Sequence, residues 1–211
     1  MMKIKTTLYL IIVLFSYGYA AESVVIDSLR VHDNLLDLSY HINNLLSEKG
    51  TQALERGITA EVVHHIQLWR KKGFINPMEK EYIYSIKIVY DSWERKYRII
   101  SEDENRLTSQ LETVKQKCTV LTDYPISEIA DLEQNEKYFV SISVKFQPIS
   151  AESYNAISDI FTKDEKKQEV KQKDKKGYFG VLVNLLGFGD KEFSVKSNDF
   201  IITDTGAIKF L

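Results

Sequence analysis

The sequence predicts a mainly β (α+β) fold: a single antiparallel, sandwich-like β domain with two or three short helices. Three observations lead to this class. Two stretches can each be paired as a hairpin whose apolar residues fall on one face. A later stretch, from Tyr138 to Phe146, alternates strictly between apolar and polar residues. The helical patterns between these stretches are short. Strict alternation is typical of a sheet with one buried face.

The first hairpin turns at Asp33 and Asn34. Alternation on both arms then places apolar residues on one face, as the two-residue period of a strand requires. The one exception is Asp27. The predicted pairs are Val31 with Leu36, Leu29 with Leu38, Val25 with Ile42, and Asp27 with Tyr40.

A short helix and a long strand follow. Residues Ser47 to Arg56 are predicted to be helical, with Ser47 as the N-cap and Gly57 as the stop. From Ile58 the pattern changes to strand alternation. The residues predicted to share its apolar face are Ile58, Ala60, Val62, His64, Ile66 and Leu68.

The second predicted hairpin runs from Glu81 to Ser101 after a break at Gly73 to Pro77. A turn centred on Ser92 and Trp93 pairs opposite residues so that one face is apolar and aromatic and the other is mostly cationic. The predicted pairs are Ile88 with Tyr97, Ile86 with Ile99, Tyr84 with Ser101, Lys87 with Arg98, and Val89 with Lys96.

A helix is expected next, because Ser101 and Glu104 match a capping box. Its apolar stripe is Leu107, Leu111, Val114 and Cys118. Pro125 falls in the following connector, the strand Tyr138 to Phe146 ends at Pro148, and residues 151–161 could form another short helix. The C-terminal part contains strand-like pieces around residues 200–202 and 207–210.

Four segments are expected along the chain: a signal peptide at residues 1–20, a β-rich domain at 21–162, a charged linker at 163–176 and an apolar segment at 177–211. The linker is rich in lysine and acidic residues and has Val170 as its one apolar residue, so it cannot bury itself. The last segment is expected to pack on the domain or on a membrane surface.

The first twenty residues indicate export. Lys3 and Lys5 precede the apolar run Leu8–Phe15, and small residues follow, which predicts cleavage between Ala20 and Ala21. The alternative of a retained membrane anchor is less favoured, because a span needs about 20 apolar residues. The expected location is therefore the periplasm or the exterior.

Charge and cysteine content narrow the function classes. The net charge is −2, and loss of two signal-peptide lysines makes the mature chain more acidic, which argues against nucleic acid as a partner. Cys118 is the single cysteine, so no internal disulfide can form, and no cysteine follows the apolar run for lipid attachment. We expect Cys118 to be buried and inert, and the protein not to be a lipoprotein.

This layout resembles a family of exported bacterial proteins known as domain of unknown function 4390, over roughly Val24 to Phe161. The stretches that carry the resemblance are Leu29–Asn34, Ala53–Ile58, Tyr90–Tyr97, and the helix, proline and strand run from Leu107 to Phe146. The resemblance implies an exported bacterial protein. It brings no catalytic residues, because the family has none assigned.

No catalytic, cofactor-binding or metal site is predicted. His64 and His65 are adjacent on one strand and therefore point to opposite faces, so they cannot chelate one ion together. The hairpin register pairs His41 with Ile26 and not with His32. Nucleophile motifs and a phosphate-binding loop are absent. An enzyme, such as a hydrolase without a recognisable motif, is the third reading.

Candidate partner contacts lie at the second hairpin turn. The hairpin assigns Tyr82, Tyr84, Tyr90 and Tyr97 to the apolar face, whereas Trp93 stands at the tip, where no core requires it. With Arg95 and Lys96 beside it, Trp93 could anchor a partner, or it could fold back over the sheet.

Membrane contact is the alternative. Basic residues at 163–176 precede an apolar run that could lie in a lipid interface, although packing on the sheet is preferred. The candidate membrane contacts are Tyr178, Phe179, Leu182, Leu185, Leu186 and Phe188. The sequence thus favours a non-enzymatic cell-envelope module that binds an unknown envelope protein, without cofactor or nucleic acid, and the peripheral membrane protein is the second reading.

Overall fold

The computed structural model of this chain describes residues 23–149 and 191–211. Within these ranges most residues are in antiparallel strands, which confirms the predicted class. The strands are β1 (Ser23–His32), β2 (Leu35–Asn43), β3 (Thr59–Arg70), β4 (Met78–Asp91), β5 (Lys96–Ile100), β6 (Asn105–Thr108), β7 (Val120–Glu128), β8 (Lys137–Ile149), β9 (Lys191–Lys196), β10 (Phe200–Ile202) and β11 (Ile208–Phe210). The helices are α1 (Glu48–Glu55) and α2 (Leu111–Thr119), with a 3₁₀ turn at Ile129–Asp131.

The strands form two sheets. A small sheet has the order β1-β2-β7, and a large sheet has the order β11-β10-β8-β3-β4-β5-β6. Strand β9 also pairs with β8, on the same edge as β10. It pairs with residues 141–146 of β8, whereas β10 pairs with residues 137 and 138. We call the face of the large sheet that packs on the small sheet its inner face, and the opposite face its outer face.

The hydrophobic core lies between the two sheets and is closed by the helices. Alternate residues of the long strands point inward, as the two-residue period requires. Core residues from the strands include Leu36, Leu38, Tyr40, Val62, Ile66, Leu68, Ile86, Ile88, Val140, Ile142, Val144 and Phe146. Those from the helices are Ala53, Leu54, Val114 and Cys118.

The first hairpin has the predicted turn, but its register is wrong beyond Asp27. Near the turn the predicted pairs are confirmed, whereas further on Val25 pairs with His41 because a β-bulge lies between Ile26 and Ser28. The bulge changes which alternate residues point inward, so that Val24 and Ile26 enter the core. The Asp27 carboxylate then bonds Nδ1 of His41 at 2.7 Å instead of facing Tyr40.

Helix α1 and strand β3 confirm the prediction. The Ser47 hydroxyl accepts a hydrogen bond from the Gly50 amide at 3.2 Å, which caps the helix. Gly57 ends it in the left-handed region at φ +91°, where a side chain would be strained. Strand β3 then buries its predicted face, His64 included.

The second hairpin is present, but its predicted register is wrong by two residues. Ile88 pairs with Ile99 and Tyr90 with Tyr97, because the turn contains the four residues 92–95 rather than two. A shift of two leaves every side chain on its predicted face. The apolar face therefore stays as predicted, whereas the cross-strand pairs of the cationic face change.

The predicted start of the next helix, at Ser101, is wrong. The Ser101 amide bonds the Glu104 carbonyl in a turn, and residues 105–108 pair with β5 as strand β6. Leu107 thus lies on an edge strand and is exposed. Strand pairing satisfies more backbone groups than a helix end would, so it overrides the local capping signal. The helix begins at Leu111 and buries Val114 and Cys118 as predicted.

The two prolines do not interrupt the strands as predicted. Pro125 lies within β7, opposite Asp37, because β7 is an edge strand of the small sheet within the described residues. Pro148 is followed by Ile149, so β8 continues past it. The strand-like C-terminal pieces form β10 and β11. The expected helix at residues 151–161 and the linker at 163–176 lie outside the described residues.

Candidate functional site at the second hairpin tip

The hairpin of β4 and β5 carries the candidate partner contacts. Strand β4 is 14 residues long and packs along β3, so its end is fixed to the sheet. Tyr90 and Tyr97 face each other with ring centroids 5.0 Å apart. The Tyr97 hydroxyl also donates to the Glu55 carboxylate at 2.9 Å, which ties the hairpin to α1. Burial and this carboxylate raise the pKa of Tyr97.

The loop of residues 92–95, which we call the Trp93 tip, has a defined backbone. The Asp91 carboxylate accepts hydrogen bonds from the amides of Trp93 at 2.9 Å and Glu94 at 3.1 Å. Arg95 completes the turn in the left-handed region at φ +53°. Such side chain to backbone bonds hold a turn in one shape, so the indole is presented from a preorganised loop.

Trp93 itself projects into solvent and is 95% exposed. The alternative that it folds back over the sheet is therefore wrong. Arg95 beside it is exposed, and Lys96 is half-buried and bonds Glu94 at 3.1 Å. An exposed indole beside cationic side chains is the kind of group that anchors protein interfaces.

The candidate membrane contacts at residues 178–188 lie outside the described residues. The strands that bracket this part of the chain are described: β8 ends at Ile149, opposite Thr59, and β9 begins at Lys191, opposite Phe146. Both points are at the end of the large sheet that carries the Trp93 tip. The two regions that the sequence singled out therefore meet the described fold at the same end.

The histidines have structural contacts. His64 points into the core, where its Nδ1 lies 2.7 Å from the Tyr40 hydroxyl oxygen, and burial lowers the pKa of His64 to about 4. His65 points outward, as predicted, and its Nε2 lies 2.7 Å from Glu81. Among the residues that the structure describes, no group of three or more His, Cys, Asp or Glu side chains could hold a metal ion.

Cys118 lies on α2 and is fully buried, as predicted. Burial raises the pKa of its thiol to about 12, because the thiolate cannot be solvated there. At neutral pH the group is a protonated thiol within the core. It therefore acts as a small apolar side chain in this fold.

The aromatic residues divide between the two faces of the large sheet. Tyr82, Tyr84 and Tyr90 pack against the core, and Tyr97 is within it, as the hairpin predicts. On the outer face Trp69 stacks on Phe139 with ring centroids 6.3 Å apart. The Phe139 ring is also covered by Lys196, whose Nζ lies 3.5 Å from the ring centroid.

One exposed apolar feature was missed by sequence reasoning. Phe74 and Ile75 stand at the turn between β3 and β4, at the opposite end of the large sheet from Trp93. The available signal was two apolar residues inside a loop bounded by Gly73 and Pro77. The sequence predicts a break in the chain there, and a break assigns its apolar residues to neither a strand face nor a helix face.

Comparison with known proteins confirms the resemblance. Residues 21–148 match the family described as Domain of unknown function (DUF4390), which covers more than half of the chain. The chain belongs to this family. No curated protein matches the chain, and no solved structure matches it. Across residues 23–149 and 191–211, no helix has the length and apolar content to cross a membrane.

Proposed function

We propose that this protein is an exported, non-enzymatic cell-envelope module that binds a protein partner through the Trp93 tip. One observation carries the proposal: an indole that is 95% exposed stands on a turn whose backbone Asp91 holds in place. Exposing an indole costs solvation free energy that burial in an interface recovers. The preorganised turn also lowers the entropy lost on binding.

The contacts of the reactive side chains support a non-enzymatic role. His64 bonds Tyr40 in the core, His65 bonds Glu81, and His41 bonds Asp27. The Cys118 thiol is buried and protonated at neutral pH. Each of these groups has a role in packing or in a surface pair. The Trp93 tip is an exposed feature whose presence the fold itself does not explain.

Export is a prediction that can be checked directly. Residues 1–20 have the order of a secretory signal, so the protein recovered from host cells is expected in the envelope or periplasmic fraction with Ala21 as its first residue. Mass spectrometry of the intact protein measures this. A cytoplasmic protein that retains Met1 would contradict export, and an envelope protein that retains Met1 would indicate an anchor.

Partner binding is expected to depend on Trp93. Trp93→Ala should lower the affinity for the partner about 30-fold or more, the loss of roughly 2 kcal/mol that is typical of a central interface residue. The measurement is crosslinking in cells followed by capture of the tagged protein, with comparison of the proteins recovered by the wild type and the variant.

Ile83→Ser is the matched control for this experiment. Ile83 lies on β4, the strand that leads into the Trp93 tip, and is 66% exposed, so the substitution also removes an exposed apolar side chain. A protein that is recovered by the wild type and by Ile83→Ser but not by Trp93→Ala is the predicted result. Equal recovery by all three would contradict the proposed site.

A second candidate function is contact of residues 163–189 with an anionic membrane surface. The residues that bracket this part of the chain, Ile149 and Lys191, lie at the end of the large sheet that carries the Trp93 tip. A lysine-rich stretch followed by an apolar one could bind there by charge attraction and shallow burial. Such binding requires anionic lipid and weakens at high salt.

A further inference from the structure

The turn between β3 and β4, residues 71–77, places two large apolar side chains in solvent. We call it the Phe74 loop. Phe74 is fully exposed, Ile75 is 80% exposed, and Met78 at the start of β4 is nearly half exposed. Single exposed apolar residues are ordinary on protein surfaces, but two adjacent ones at a loop tip form a projecting apolar patch.

The Phe74 loop is held in shape by its own hydrogen bonds. The Arg70 amide donates to the Pro77 carbonyl at 3.0 Å, and the Lys72 amide donates to the Asn76 side chain at 3.1 Å. Gly73 takes the left-handed region at φ +70°, which only glycine adopts freely. The exposure of Phe74 and Ile75 therefore belongs to the folded loop.

The charges around the loop balance each other. Four carboxylates contact three cations: Arg70 bonds Glu79 at 2.6 Å and also Glu133, Lys71 bonds Asp199, and Lys80 bonds Asp131 at 2.8 Å. Lys72 supplies a fourth positive charge, which helps to lower the pKa of Glu133, and Lys137 and Lys196 supply two more, which help to lower the pKa of Asp199. Two more carboxylates, Asp33 and Glu128, line a cavity together with Glu133. The end of the large sheet that carries the Phe74 loop therefore has no excess of positive charge to attract an anionic surface.

We propose that Phe74 and Ile75 insert into a phospholipid surface. A lipid interface needs no preformed pocket and accepts a projecting apolar tip. Because the surrounding charge is balanced, burial of the two apolar side chains drives the binding to lipid. Zwitterionic lipid is therefore sufficient.

This contact is independent of the proposed partner site. Strand β4 connects the two loops and has 14 residues, so the Phe74 loop and the Trp93 tip are separated by roughly 45 Å. With β4 upright on the membrane, a protein bound to lipid through Phe74 and Ile75 holds Trp93 away from the lipid surface. The partner would be met at that distance from the lipid surface.

The test is flotation of the chain beginning at Ala21 with vesicles of phosphatidylcholine and phosphatidylethanolamine. The affinity should fall below that of one myristoyl chain, about 10⁴ M⁻¹, so millimolar lipid is needed. We expect the wild type to float equally at low and high salt. Phe74→Ser combined with Ile75→Ser should lower the partition coefficient about tenfold or more.

Ile83→Ser is again the matched control, because it removes an exposed apolar residue from the sheet face and should float like the wild type. A second readout is Phe74→Trp, whose emission should shift to the blue with vesicles and be quenched by brominated acyl chains. The proposal is overturned if the wild type stays unbound, if the double variant floats equally well, or if flotation requires anionic lipid and is lost at high salt.

Discussion

Between pH 6.5 and pH 4 the free energy of unfolding is expected to fall by about 3 kcal/mol on account of one buried histidine. His64 lies in the core against Tyr40, and burial lowers its pKa to about 4, whereas an unfolded histidine titrates near 6.5. Each pH unit between these values is worth about 1.4 kcal/mol for one proton.

The direction follows from where the proton binds. Between pH 6.5 and pH 4 the unfolded chain holds a proton on His64 and the folded chain does not, so lower pH favours unfolding. The stability is fully present above pH 6.5 and is lost as the pH falls to 4. Exposed carboxylates such as Glu81 and Glu133, whose pKa values are lowered by their partners, lose their contribution further down, below about pH 4.5.

Urea unfolding at several pH values between 7 and 4.5 measures this slope. The control is His64→Leu combined with Tyr40→Phe, because the double substitution removes the titrating group and the hydroxyl that would otherwise lose its buried partner. This variant should lose most of the slope in that range. An unchanged slope would show that His64 is not responsible.

Phe146→Ala is expected to lower the free energy of unfolding by about 3–5 kcal/mol. The ring is fully buried on β8, where Phe146 pairs with Val62 of β3 on one side and with Lys191 of β9 on the other. Its removal leaves a cavity between the sheets at the point where the C-terminal strands join. Urea unfolding followed by circular dichroism measures the loss.

Phe210→Ala is the comparison for this core substitution. Phe210 is half-exposed on β11 and packs edge-on against Phe200, so its removal should cost much less than that of Phe146. Equal losses for the two variants would contradict the burial pattern. A loss below about 1 kcal/mol for Phe146→Ala would show that the core is not packed between these sheets as described.

The long strands could be predicted because their residues alternate for many positions. Strand β8 buries Tyr138, Val140 and Phe146 as its pattern predicts, and β3 buries His64 although it is polar. In both strands one face meets the core throughout, so every second residue carries the same information. The faces of the second hairpin were predicted for the same reason, as were those of the first hairpin between its turn and the bulge at Asp27.

The errors occur where a local signal competes with pairing from elsewhere in the chain. Ser101 and Glu104 match a helix cap, but residues 105–108 pair with β5 instead. Asp27 is placed in a bulge, and Pro125 lies in a strand whose partner, β2, is about ninety residues away. Pairing with β2 over that distance leaves no periodic mark near Pro125, and β6, with four residues, is too short to show an alternation of its own.

The candidate site was predictable in part. Trp93 could be singled out because it falls in a turn, where a large aromatic residue has no core to fill, and the structure places it in solvent. The predicted loop has too few residues, because a turn centred on Ser92 and Trp93 makes no use of the Asp91 carboxylate, which caps the longer turn. Phe74 and Ile75 were missed because exposure in a loop depends on three-dimensional packing.

The most direct test of the partner site is a photo-reactive amino acid placed at position 93 of the full-length chain in its host cells. The proposal predicts a light-dependent adduct with one envelope protein that is absent when the same group is placed at position 83, an exposed position on β4 itself. No adduct at position 93, or the same adducts from both positions, would contradict a partner site at the Trp93 tip.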